Sequence, residues 1–188
     1  MTRTDRPADR RGFLWRLAAL AGASAAAPAS AQTRQGGAGD YPVLPDYVRA
    51  QSHTSLKQST HDRTGGNRDY RPVAAGATLD LFDAAGPGVI SHIWFTIAAP
   101  SRSHLKELVL RIYWDGNAKP SVEAPIGDFF GLNLGEYFHY QSAYLACSPG
   151  RSLNCYFAMP FRKSARMTVT NEGKQNVGNF YSNIDYAT

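Results

Sequence analysis

The sequence predicts an all-β protein built as a sandwich of two sheets, and three observations carry that prediction. A two-residue apolar period runs through residues 89–97 and 108–114. The composition is that of a turn-rich chain, with 17 glycines, 11 prolines and 12% aromatic residues. No long amphipathic helix interrupts the pattern, and strands separated by turns pack as a sandwich. With 188 residues, 43% of them hydrophobic and 19% charged, the chain can bury the core of one domain.

Taken in order, residues 1–31 read as an export signal. Arg10 and Arg11 precede an alanine-rich apolar run, and Ala29-Ser30-Ala31 supplies the small residues that a signal peptidase accepts. The paired arginines resemble a twin-arginine signal and predict a periplasmic or extracellular address. The run falls short of the roughly 20 apolar residues of a membrane span, so no membrane contact is expected after cleavage. The segment holds five arginines and two aspartates, so its removal lowers the net charge from +5 to about +2. Without a basic stripe, nucleic acid is excluded as a partner class. Arg162, Lys163 and Arg166 read as a solvated face or as ion-pair partners.

Residues 32–45 read as a tether, and residues 46–58 leave room for a short helix of weak apolar spacing. Residues 32–51 thus form a linker with a short helix, ahead of a β-domain over residues 52–188. Residues 59–67 are too polar for a core strand and form a loop, the kind of segment that carries binding groups. A short strand follows over residues 78–82, then a turn at Gly86-Pro87-Gly88. In the strand over residues 89–97, Val89, Ser91, Ile93, Phe95 and Ile97 share one face, with Ile90, His92, Trp94 and Thr96 on the other. Mixed polarity on both faces predicts burial from both sides.

Residues 100–104 break the chain, and residues 107–114 resume as a strand that ends at Asp115-Gly116, a dipeptide suited to positive φ in a tight turn. Later strands are expected over residues 153–159, 165–170 and 177–186. Cys147 and Cys155 could pair across a turn, although folding before export would disfavour it. The five histidines have no metal-ligand spacing, and no nucleotide-binding or serine-hydrolase motif occurs, so no cofactor is expected.

The densest chemistry lies in residues 112–131, IYWDGNAKPSVEAPIGDFFG. Carboxylates there accept hydrogen bonds from hydroxyls, rings cover C–H faces, and glycines let backbone approach a ligand, which together suit a sugar. This stretch resembles the core motif of glycoside hydrolase family 172. Four further blocks agree in order: HDRTGGN at 61–67, GPGVISHIWFT at 86–96, LNCYFAMPFRKSARMTVTNEG at 153–173 and YSNIDY at 181–186. The resemblance spans residues 52–188. It implies a jelly-roll version of the sandwich, which the long, aromatic-rich connections also favour. It implies a furanoside-containing glycan as partner, homo-oligomeric assembly, and a retaining, exo-acting α-furanosidase of the D-arabinofuranoside or fructofuranoside class.

Carried over by position, the candidate sugar-contacting residues are Asp62, Arg63, Gly65, Gly66 and Asn67 in the first block, and Trp114, Asp115, Asp128 and Phe129 in the third, residues 112–131. Asn154 and Glu172 come from the fourth. The competing expectation for each is a structural role in a turn or β-edge, with Arg162 paired to Glu172 across adjacent strands. The family pattern places an acid directly after the Asn of the first block, where this chain has Arg68.

Hydrolysis of a glycoside usually takes two carboxyl groups. The two glutamates that the family uses sit in Gly-Glu-Gly and Thr-Glu-Asp-Tyr patterns, and neither occurs here, so no catalytic residue is assigned. The expectation is an inactive fragment holding most of a first jelly-roll domain. The alternative is a non-catalytic carbohydrate-binding or assembly module on the same fold.

Overall fold

The computed structural model describes residues 50–188, and residues 51–188 form one compact unit. The expected signal at 1–31 and most of the expected linker lie outside the described residues. Strands β1 to β12 are Ser55–Ser59, Arg71–Val73, Thr78–Ala85, Gly88–Ala98, Leu108–Trp114, Val122–Pro125, Tyr140–Gln141, Leu145–Cys147, Leu153–Cys155, Met159–Phe161, Ser164–Asn171 and Val177–Ala187. Two single-turn helices, α1 (His104–Glu107) and α2 (Ile126–Phe129), flank β5 and β6.

The strands form two antiparallel sheets, so the chain is all-β as its periodicity requires. The larger sheet has the order β1-β12-β4-β9-β8-β7, with β10 also pairing β4 and β2 also pairing β12. The smaller sheet has the order β3-β11-β5-β6. The chain passes from one sheet to the other between β2 and β3, β3 and β4, β4 and β5, β6 and β7, β10 and β11, and β11 and β12. The large sheet therefore joins distant parts of the sequence.

Between the sheets, Ile93, Phe95 and Ile97 of β4 and Phe180 and Ile184 of β12 meet Leu110 and Ile112 of β5 and Met167 and Val169 of β11. Phe95 sits among rings, 5.6 Å from Phe130 in an edge arrangement and 5.2 Å from Phe180. Alternation in β5 follows the sequence, with Leu108, Leu110 and Ile112 fully buried and Arg111 and Tyr113 only partly so.

Four expectations change. Residues 55–58, expected at the end of a short helix, and Ser59, expected in the polar loop, together form β1, because each of them pairs in register with β12 from Asn183 to Ala187. The strand expected at 153–159 is two strands, β9 and β10, which pair with different parts of β4. In β4 the alternation holds from 92 to 97 but slips at Ser91, which has no partner between Ile90↔Tyr186 and His92↔Asp185. Such a bulge shifts the two-residue phase by one, so Ile90, and not Val89, turns into the core. Nor is β4 buried from both sides, since His92, Trp94 and Thr96 remain partly exposed on its outer face.

The Asp115-Gly116 turn forms as expected. Both residues have positive φ, 56° and 81°, and Asn117 N–H donates to the Trp114 carbonyl at 3.0 Å. At Gly88 there is no room for any side chain, because an added Cβ would lie 2.6 Å from the Phe161 ring and 2.7 Å from the Ala187 carbonyl. The two cysteines are free thiols, both buried in the core from adjacent strands, and burial pushes both thiols upward in pKa. The open side between β1 and β3 is bridged by Gln58, whose amide donates to the Asp83 carbonyl at 2.7 Å and accepts from the Asp83 N–H at 3.1 Å.

Candidate functional site

The outer face of the large sheet carries the densest group of partly exposed polar and aromatic side chains. The registers of β1, β12, β4 and β9 place Ser59, Asn183, Trp94 and Asn154 in one row across the sheet. Lys57, Asp185 and His92 form the neighbouring row. Because side chains alternate along a strand, both rows point away from the core.

The rows are cross-linked. Asp185 meets His92 Nδ1 at 3.1 Å and Lys57 Nζ at 3.2 Å. His92 Nε2 lies 3.3 Å from Asn154 Oδ1, and its ring stacks on Tyr156 with centroids 4.7 Å apart and planes only 6° apart. Trp94 Nε1 donates to Ser152 Oγ at 2.7 Å, which fixes the indole plane. Beside them Tyr144 and Phe157, both exposed, stack face to face at 4.9 Å.

The polar loop at 60–69 overhangs this face. Thr60 anchors it: its N–H donates to the Ser182 carbonyl at 3.0 Å, and its hydroxyl donates to the Asp69 carbonyl at 2.8 Å while accepting the Ser182 N–H at 2.9 Å. Between loop and sheet lies a cleft of about 310 Å³, lined by Thr60, His61, Asp69, Trp94, Tyr181, Ser182 and Asn183. Ser182 Oγ is buried with no hydrogen-bond partner, an exception to the rule that buried polar atoms are satisfied.

The candidates from the sequence divide between the two sheets. Asp62, Arg63, Gly65, Gly66 and Asn67 all lie in the overhanging loop, and Asn154 lies on the face below it. Asp62 organises the loop, accepting from Thr64 N–H at 3.0 Å, Thr64 Oγ1 at 2.7 Å and Arg68 N–H at 3.2 Å. These bonds, the Thr64 hydroxyl first, hold its pKa below the usual carboxylate value. Gly65 takes a positive φ of 79°, and Gly66 lies against the Asp62 carboxylate. Arg63 lines a second cleft, of about 330 Å³, on the other side of the loop, and Asn67 is exposed at its tip.

Trp114, Asp115, Asp128, Phe129 and Glu172 belong instead to the small sheet and its ends. Trp114 and Phe129 pack against the core, and Asp128 pairs with Lys106. Asp115 Oδ1 accepts from the backbone N–H groups of Arg162, Lys163 and Ser164 at 2.9, 2.7 and 3.3 Å. These bonds, led by that from Lys163, lower its pKa. Glu172 pairs with Arg111 at 2.8 Å, where Arg162 was expected, because Arg111 sits on the strand beside β11 and also holds Glu123 at 2.7 Å and Thr170 Oγ1 at 2.9 Å. The Arg111 guanidinium is held above its ordinary pKa, chiefly by Glu172.

The depressed Asp115 pKa sets a pH dependence. The folded-state pKa lies below the unfolded value of about 3.9, so the ionised carboxylate stabilises the fold above that pH. The contribution disappears as pH falls through the folded value. Asp115→Asn is expected to flatten the dependence of the urea midpoint on pH below about 4 relative to the parent. Unchanged slopes would contradict the assignment.

Sequence reasoning missed His92, Trp94, Tyr181, Asn183 and Asp185 as one surface, although their blocks were in view. The signal was present as polar and aromatic residues at alternate positions 92, 94 and 181, 183, 185, but the mixed polarity of β4 was read as two-sided burial. Among the described residues no group of three or more histidine, cysteine or acidic side chains is placed to hold a metal ion.

Comparison with curated proteins returns no match. The family described as GH172 domain-like matches residues 67–184, a span that takes in β2 to β11 and most of β12 and therefore both sheets. With that match covering more than half of its length, the chain belongs to the GH172 domain-like family of glycoside hydrolase relatives.

Proposed function

We propose that the outer face of the large sheet, under the 60–69 loop, binds a furanoside-containing glycan. The observation that carries this reading is the cleft beneath the loop. It brings the Trp94 and Tyr181 rings together with Asn183, Asp69 and His61. Rings take the C–H face of a sugar while amide, carboxylate and hydroxyl groups exchange hydrogen bonds with its hydroxyls. The strand orders β1-β12-β4-β9 and β3-β11-β5-β6, with repeated crossing between sheets, support the jelly-roll reading of the sandwich.

In this reading the chain contributes sugar recognition to an exported retaining α-furanosidase of the D-arabinofuranoside or fructofuranoside class. The nucleophile and the acid/base glutamates come from outside these residues. The commitments of the local carboxylates support that division: Asp62 and Asp115 hold backbone, Asp128 holds Lys106, Glu123 and Glu172 hold Arg111, and Asp185 holds His92 and Lys57. A homo-oligomer accords with the exposed Tyr144 and Phe157 pair, and light scattering of the purified chain reads it directly.

Titration calorimetry with D-arabinofuranosyl and fructofuranosyl oligosaccharides tests the site. Trp94→Ala and Asn183→Ala are each expected to weaken binding tenfold or more, about 1.4 kcal/mol, while the chain alone gives no turnover. Affinity unchanged in both variants would remove the face as the site. Turnover comparable with that of an active furanosidase would overturn the division of labour.

A further inference from the structure

At the α1 and α2 end of the sandwich, a separate cleft of about 320 Å³ is lined by Pro100, Ser101, Arg102, His104, Glu136, Tyr137 and Arg151 together with Ala99 and Gly135. Its inner wall is neutral and ordered. His104, 6% exposed, has Nδ1 2.7 Å from the Ser101 carbonyl, an atom that only accepts, so Nδ1 carries the proton. Burial holds the ring below its ordinary pKa and so in the neutral form, which leaves Nε2 to accept the Tyr137 hydroxyl at 3.0 Å. Burial likewise pushes Tyr137 up to about 12, keeping it protonated. With its proton directed at His104, the Tyr137 oxygen is left as an acceptor facing a ligand.

The rim is charged and unspent. Arg151 lies over the Tyr137 ring at 5.3 Å, and no described carboxylate pairs with Arg151 or Arg102. Glu136 on the same rim is also without an ion-pair partner. Two guanidiniums suit an oxyanion, and guanidinium geometry matches a carboxylate bidentately. A carboxylate at 136 and a phenolic acceptor suit hydroxyl donors. One ligand class satisfies both halves, a sugar that bears a carboxylate.

We propose that this cleft is a second glycan subsite, selective for a uronate residue, with Arg102 and Arg151 holding the carboxylate and Glu136 and Tyr137 accepting from the ring hydroxyls. The sugar part rests on the glycan reading above, whereas the charge selectivity rests on this cleft alone. The site shares no lining residue with the cleft under the 60–69 loop.

The test is calorimetry of the intact chain with trigalacturonate and with its methyl ester, which keeps the sugar and removes the charge. Trigalacturonate is expected to bind at least tenfold tighter than the ester at low salt, with the preference shrinking as salt rises. Arg102→Gln and Arg151→Gln are each expected to bring the two ligands within about threefold, while Trp94→Ala leaves the preference intact and weakens only the neutral furanosides. Arg102 touches no described partner, so its variant should fold normally. Equal binding of acid and ester, or a preference untouched by both arginine variants, would overturn the proposal. Inorganic sulfate competing as strongly as trigalacturonate would overturn its sugar component, reducing the cleft to a simple oxyanion site.

Discussion

Phe95→Ala is expected to lower the stability of the sandwich by about 3–5 kcal/mol, the range for deleting a buried aromatic ring. Phe95 is fully buried and faces Phe130, which follows α2, and Phe180 of the neighbouring strand β12. A domain of this size is typically stable by about 5–15 kcal/mol, so the loss should appear as a large drop in urea midpoint with little change in slope. The functional effect should follow from position. Trp94 and Thr96, the neighbours of Phe95 in β4, point to the opposite face, so a relaxed β4 would also misplace the Trp94 indole. A midpoint within the error of the parent would show that the rings pack less closely than these distances indicate.

The second large effect is expected at Asn171. It is 1% exposed and joins three segments: Nδ2 donates to the Val73 carbonyl at 3.0 Å and to the Gln175 carbonyl at 2.9 Å, while Oδ1 accepts the Gly173 N–H at 3.0 Å. Asn171→Ala leaves these groups short of partners and should cost about 3 kcal/mol, given about 1–3 kcal/mol for each buried group left unsatisfied. Asn171→Asp should be worse, because it turns an oxygen toward two carbonyls and adds a charge to a buried site. Equilibrium unfolding should therefore rank parent above alanine above aspartate at pH 7. An aspartate variant as stable as the parent would break this account of the hub.

Asn171 also shows what the sequence could and could not convey. Its block was legible as a motif, but whether it met sugar or backbone depended on Val73, almost a hundred positions earlier and brought close only by the pairing of β2 with β12. The same holds for Glu172, whose partner Arg111 is on a strand adjacent in the sheet but distant in the chain. The Asp115-Gly116 turn was readable because its cause is local, two adjacent residues that tolerate positive φ. Core positions in β5 were readable because strict alternation is also a local property. In β4 the single extra residue at Ser91 defeated alternation, since a bulge depends on how the partner strand is laid down. The loop and Asn154 were both singled out in the sequence, but the rows linking them exist only once β1, β12, β4 and β9 are aligned.

The placement of β12 between β1 and β4 has a consequence for the order in which the chain acquires structure. The small sheet is complete once residue 171 has been made, because β3, β5, β6 and β11 pair only with one another. The large sheet has no such freedom: β1 and β2 pair only with β12 and must wait until residues 177–187 have left the ribosome. Contacts separated by so much chain are slow to form, typical of sandwiches that fold over milliseconds to seconds. During synthesis the half-built molecule therefore holds one finished sheet opposed only by the β4 and β7 to β10 part of the other, which leaves part of its inner apolar face without cover. A chaperone that shields this face, or rapid completion of the last strand, would set the yield of folded protein more than the final stability does.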